Sequence, residues 1–127
     1  MSTLLRIENV SVHFPIRKGL LQRQVGAVRA VDSVTLELKK GEAFGLVGES
    51  GCGKTTLARA VLRLVDPISG IISFDGTNIS GLTTKALAPF RKRIAAIFQD
   101  PFSSLNPRQR SGQIIAEVLQ VHNYEGD

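Results

Sequence analysis

Near the start of the chain, Leu5 and Ile7 share one parity, whereas Val10, Val12 and Phe14 share the other. A strand whose apolar side switches part-way predicts a bulge or kink near Glu8–Asn9. Pro15 to Gly26, PIRKGLLQRQVG, reads as a basic loop. Val34, Leu36 and Leu38 then alternate with Thr35 and Glu37, the pattern of a second, half-buried strand. Lys39-Lys40-Gly41 is a turn, and Glu42 to Val47 reads as a short strand buried on both faces. From Lys54 the period changes. Leu57, Ala58, Val61, Leu62 and Val65 fall on one helical face, which Asp66-Pro67 closes.

Further on, IISFDGTNIS predicts two short strands joined at Asp75-Gly76. Thr83 or Thr84 is placed to cap a short helix over Lys85 to Arg91, with Pro89 limiting its regularity. Ile94 to Phe98 is another buried-strand candidate, and Gln99 to Pro107 is a polar loop. Ile114, Ile115, Val118, Leu119 and His122 mark an amphipathic helix. Strand, loop, helix and strand in this order form an α/β pattern with an antiparallel edge.

Charge adds a partner class to this picture. The formal charge is +5, from 16 Lys+Arg against 11 Asp+Glu, which suits nucleotides, lipid head groups or nucleic acid. The cations are scattered, however, and most read as solvated surface. Arg91-Lys92-Arg93 comes with no aromatic platform, so nucleic acid is not expected. His13 and His122 lack metal-ligand spacing. A single cysteine, Cys52, rules out an internal disulfide and suits a reducing compartment. The opening MSTLLRIENV meets Arg6 and Glu8 too soon for a signal peptide. No apolar run approaches the ~18 residues of a membrane span, so work at a membrane is expected from the water side.

The candidate chemistry lies between the second strand and the first helix. Gly48-Glu49-Ser50-Gly51-Cys52-Gly53-Lys54-Thr55 satisfies G-x-x-x-x-G-K-[ST], with a predicted strand before it and a helix after it. Glycines allow positive φ, which turns successive N–H groups inward and lets a phosphate approach without meeting a Cβ. The helix that begins near Lys54 aims its unsatisfied N–H groups at the same point. Lys54 adds a cation for the β- and γ-phosphates, Thr55 a hydroxyl for magnesium, and Thr56 a hydrogen bond for the α-phosphate. The alternative, a turn that merely joins strand to helix, does not explain Lys-Thr at this place. The motif predicts a nucleoside triphosphate site over Gly48, Ser50, Gly51, Cys52, Gly53, Lys54, Thr55 and Thr56. Cys52 is either an activated thiol beside a lysine or a small filler whose backbone N–H matters.

A P-loop alone fixes no reaction. LVGESGCGKTTLARAVLRLVDPISGIISFDG (46–76) and IAAIFQDPFSSLNPR (94–108) together resemble the nucleotide-binding subunits of ABC transporters. FQDPFSSLNPR and the basic FPIRKGLLQRQVGAVRAV resemble the oligopeptide/dipeptide importer branch. The resemblance covers nearly the whole chain. It implies a P-loop NTPase (RecA-like) core with an antiparallel β edge, binding ATP and Mg2+. Gln99 matches the glutamine of the Q-loop (99–107), which reaches the magnesium and the γ-phosphate. Lys54 and Gln99 would be the catalytic pair, and Thr55 and Gln99 would serve the metal. Asp100 to Pro107 matches the surface that receives transmembrane permease subunits, and a second ATP-binding subunit would close the site. Phe14 lies where the family places an aromatic on adenine; an ordinary core or edge role remains open. The location implied is cytoplasmic, peripheral on the inner face of the cell membrane.

In this family a signature of the LSGGQ type, a Walker B aspartate with its glutamate, and a switch histidine come after the Q-loop. None occurs in this sequence. The chain therefore reads as 1–127, the N-terminal part of one ATP-binding domain whose C-terminal half is absent. Asp66, Asp75 and Asp100 all fall in expected turns. The expectation is ATP binding with negligible hydrolysis by these residues alone, as part of an importer ATPase. A non-hydrolysing nucleotide-binding remnant is the alternative.

Overall fold

The computed structural model describes residues 2–21 and 23–124. Gln22, inside the expected loop, and 125–127, in the tail VHNYEGD, lie outside the described residues. The chain divides into two compact units, Met1–Thr83 and Thr84–Asp127.

The first unit is built on β1 (Thr3–Lys18), β2 (Arg23–Lys39), β3 (Ser69–Phe74) and β4 (Thr77–Asn78), in the order β2-β1-β3-β4, every pairing antiparallel. The switch of parity in β1 is a bulge. Ile7 pairs with Leu36 and Val10 with Val34, so Glu8 and Asn9 together oppose Thr35. Asn9 takes a left-handed φ of 49°, and its N–H donates to Thr35 Oγ1 at 2.9 Å. Gly70 follows from this. With a Cβ it would meet the Asn9 carbonyl oxygen at 2.5 Å and the Glu8 carbonyl oxygen at 2.6 Å, and its φ is 92°. Because of the bulge, β1 buries Ile7, Val10 and Val12 in one core with Val31, Ile72, Phe74 and Ile79. β3 and β4 meet at the left-handed Asp75 and Gly76, as the sequence predicts, and Lys40 Nζ pairs with Asp75 Oδ1 at 2.7 Å.

α1 (Lys54–Val61) lies against β1 and β2 through Leu57 and Ala60. It ends a turn earlier than its apolar face suggests. Arg63 adopts a φ of 53°, and the N–H of Leu64 donates to the Arg59 carbonyl at 2.9 Å, a Schellman-type stop. The almost fully buried Arg63 side chain donates from Nε to the Ile79 carbonyl at 3.0 Å and from Nη2 to the Leu82 carbonyl at 3.3 Å, and it pairs with Asp66. Leu62 and Val65 thus lie past the helix.

Three expectations are corrected. Pro15 to Lys18 and Arg23 to Gly26 are strand, not loop, with the turn confined to what lies between: the ladder continues through Pro15↔Ala27 and Ile16↔Gly26 to Lys18↔Arg23. Beyond Ser11 β1 pairs only with β2, and such an open edge tolerates the N–H that Pro15 lacks. Conversely, Glu42–Val47 and Ile94–Phe98 form no strand, and among the described residues neither has a ladder partner. An apolar run becomes a central strand only between two neighbours. Val47 and Ile97 stand 90% and 91% exposed.

The second unit carries α2 (Thr84–Arg91), with Pro89 inside it, a single 3-10 turn Phe102–Ser104, and α3 (Ser111–Val121). Gln113 Oε1 accepts the Arg110 N–H at 2.9 Å at the start of α3. Ile115, Val118 and Leu119 on that helix are exposed.

Candidate functional site

The glycine-rich segment turns where its residue types demand. Gly51 and Gly53 take φ of 80° and 97°, and Gly53 is the residue that caps α1. A side chain at Gly53 would collide with the Ala30 carbonyl oxygen, 2.2 Å from an ideal Cβ. The loop is therefore pressed against β2 at a point only glycine allows. The first i→i−4 bond of α1 runs from the Leu57 N–H to the Gly53 carbonyl at 2.8 Å. Ahead of it, the Thr55 and Thr56 N–H groups meet no backbone acceptor among the described residues. Free donors and the positive end of the helix coincide there.

Lys54 supplies the cation. Its Nζ donates to the carbonyl oxygens of Gly48 at 2.6 Å and Glu49 at 2.5 Å, and to Cys52 Sγ at 3.3 Å. The loop closes on itself through the Cys52 N–H and the Glu49 carbonyl at 3.3 Å. Cys52 is exposed, and the hydrogen bond from Lys54 holds its thiol below the usual range against a smaller opposing effect of desolvation. Gly48 has no room for a side chain here either, since its Cβ would meet Cys52 Sγ at 2.6 Å. A hollow of ≈ 420 Å³ beside the loop is lined by Asp32, Leu46, Val47, Gly53, Lys54 and Leu57, among others.

Gly48, Cys52, Gly53 and Lys54 thus lie together. Phe14 stands on the β1–β2 ribbon opposite Val28, 42% exposed, and does not line that hollow. Gln99 is exposed in a bend of the second unit. After it, Asp100 Oδ1 accepts the Ser103 N–H at 3.3 Å, and Asn106 Oδ1 accepts the Arg108 N–H at 3.0 Å, so the 100–107 segment is shaped by its own polar side chains. The carboxylates of Asp66 and Asp75 are tied to Arg63 and Lys40. The sequence gives no signal for Ala30, whose carbonyl fixes the loop's approach; only the strand register reveals it.

A profile of the ABC transporter family matches residues 31–123. The chain belongs to the ABC transporter family. Among the relatives of this ABC transporter chain is the oligopeptide transport ATP-binding protein AppF of Bacillus subtilis strain 168, 52% identical over 95% of the chain and 37% of its own length. A probable peptide ABC transporter ATP-binding protein of Sinorhizobium fredii is 48% identical over 96% of the chain and 34% of its length. The chain spans about a third of the length of both. A bacterial ABC transporter cassette solved as a dimer superposes with a TM-score of 0.79 at 23% identity, over 98% of the chain and 50% of the cassette.

Proposed function

We propose that the chain binds ATP with Mg2+ as part of the ATPase subunit that energises an ABC importer of di- or oligopeptides. The observation that carries this is the clasped Lys54 ammonium at the mouth of a helix whose Thr55 and Thr56 N–H groups have no backbone acceptor. An ammonium held only by two carbonyls and a sulfur exchanges these readily for phosphate oxygens, which carry full charge. The relatives' names support the peptide class.

The residues present fit the group. Gly48, Ser50, Gly51 and Gly53 offer backbone N–H groups without Cβ obstruction at the crowded positions, the Cys52 N–H would join them by giving up its 3.3 Å bond to the Glu49 carbonyl, and Lys54 neutralises the β- and γ-phosphates. Thr56 bonds the α-phosphate, and Phe14 offers a π-face to adenine. Magnesium would be held by the Thr55 hydroxyl, and when bound it screens the phosphate charge and polarises the transferred group. Hydrolysis needs a carboxylate beside the metal and an oriented water. Asp66, Asp75 and Asp100 are all engaged elsewhere. Asp32, which lines the hollow beside the loop, is paired with Arg29 at 3.8 Å, and the 127 residues alone are expected to bind ATP without turning it over.

In the whole transporter, Asp100–Pro107 would meet the permease, and a second ATP-binding subunit would complete the site. The subunit would then lie peripherally on the inner face of the membrane. No described helix is long and apolar enough to cross one. Titration calorimetry with ATP-Mg tests the proposal: wild type binds, and Lys54→Ala binds about 10- to 100-fold more weakly, the loss of hydrogen bonds to charged groups. Equal affinity of the two would refute it.

A further inference from the structure

Apart from the Phe14 ring offered to adenine, the β1–β2 ribbon beyond Ser11 carries a feature that nucleotide binding does not use. Between Glu8 and Asp32 the sequence has no acidic residue, while Arg17, Lys18, Arg23 and Arg29 all fall there. Arg29 is paired with Asp32 at 3.8 Å. Arg17, Lys18 and Arg23 have no ion pair among the described residues. Lys18 and Arg23 sit directly opposite each other as the last rung of the ladder. Like charges placed so destabilise an antiparallel pair.

The apolar side chains complete the pattern. Residues paired across the ladder share a face, so Phe14 and Val28 lie together, with Ile16 two places further along the same face. All three are exposed. At the turn, Leu20 and Leu21 project with 104% and 77% of their surface open. Two leucines at the end of a narrow arm, collared by three unpaired cations, suit a bilayer interface, where apolar tips enter and cations remain at the head groups. A second copy of the arm would bring the same charge and repel it. A folded protein partner needs roughly 20–30 residues a side for a stable interface, more than this tip offers.

We propose that the β1–β2 arm docks on an anionic lipid surface, with Leu20 and Leu21 in the interface and Arg17, Lys18 and Arg23 on the head groups. The docking goes beyond the nucleotide reading and requires neither ATP nor a permease.

Co-sedimentation of the chain with phosphatidylcholine vesicles, with and without about one third phosphatidylglycerol, tests it. Binding is expected on the anionic vesicles only and falls as salt rises, because these cations are exposed. Arg17→Gln, Lys18→Gln and Arg23→Gln together lower partitioning roughly 100-fold, about fivefold per cation. Leu20→Asn with Leu21→Asn lowers it as well and leaves a weak, salt-sensitive remainder; these exposed positions keep the fold, as circular dichroism would verify. Lys54→Ala, which removes the proposed phosphate cation, binds vesicles like the wild type, so a failure of the ATP reading leaves this result intact. No binding to anionic vesicles, equal binding to neutral ones, or wild-type binding by either set of variants overturns the proposal. So does retention on immobilised polyglutamate without vesicle binding, which would assign the arm to an acidic protein.

Discussion

The ammonium of Lys54 stands 3.3 Å from the sulfur of Cys52, and this contact is the largest influence holding the thiol below its usual range. Reactivity is the first consequence. The thiolate is the nucleophile, so alkylation of Cys52 should rise with pH through a midpoint below that of a free cysteine. Lys54→Ala should move the midpoint upward and slow labelling near neutral pH. Rates with iodoacetamide across pH measure both; an unchanged midpoint in the variant would show that Lys54 does not govern the thiol.

Alkylated protein should also lose ATP. A Cβ on Gly48 would already meet the Cys52 sulfur at 2.6 Å, so the exposed thiol lies directly against the loop proposed to cradle the phosphates. A carbamidomethyl group there should reduce affinity at least tenfold, and ATP-Mg should in turn protect Cys52 from the reagent. Wild-type affinity in the labelled protein would place the phosphates away from the sulfur.

Gly53→Ala should damage the fold as well as the site. The position combines a φ of 97° with a carbonyl 2.2 Å from any Cβ. Left-handed strain alone costs about 1–3 kcal/mol, and the collision with Ala30 adds to it. A urea midpoint as high as that of the wild type would contradict the structure.

Arg63→Met should cost about 1–3 kcal/mol. The substitution keeps the apolar stem but removes the Arg63 donors from the Leu82 carbonyl and from the Ile79 carbonyl, which keeps only the Leu82 N–H at 3.4 Å. The exposed Asp66 carboxylate contributes little, so Asp66→Asn should be nearly silent. Thermal melts of the two variants give the ranking directly.

Val47 and Ile97, almost fully exposed in segments without ladder partners, should drive association. Val47→Lys with Ile97→Lys should shift the scattering of a concentrated solution toward monomer. Unchanged scattering would place the sticky surface elsewhere.

What the sequence discloses depends on the range of the interaction. The Glu8–Asn9 bulge, the Asp75-Gly76 turn and the onset of α1 are written in neighbouring residues, and each is present. Glu42–Val47 and Ile94–Phe98 have the right composition for inner strands, but a strand also requires neighbours, which composition does not record. The basic stretch after Phe14 misleads in the opposite direction. Its Pro and Gly residues suggest a loop, yet Phe14, Ile16 and Val28 still find one another across the ladder. For the site, the residues proposed to hold phosphate are legible because they are consecutive. The crowding by Ala30 is not, because it depends on the register of β2.

The bulge at Glu8–Asn9 reaches further than the core it serves. By adding one residue it inverts the phase of everything that follows in β1, including the face on which Phe14 and Ile16 lie. Any lengthening of β1 between Val10 and Ile16 that preserves that face must therefore come in steps of two residues. A single deletion at Asn9 would turn the arm inside out without altering one side chain on it.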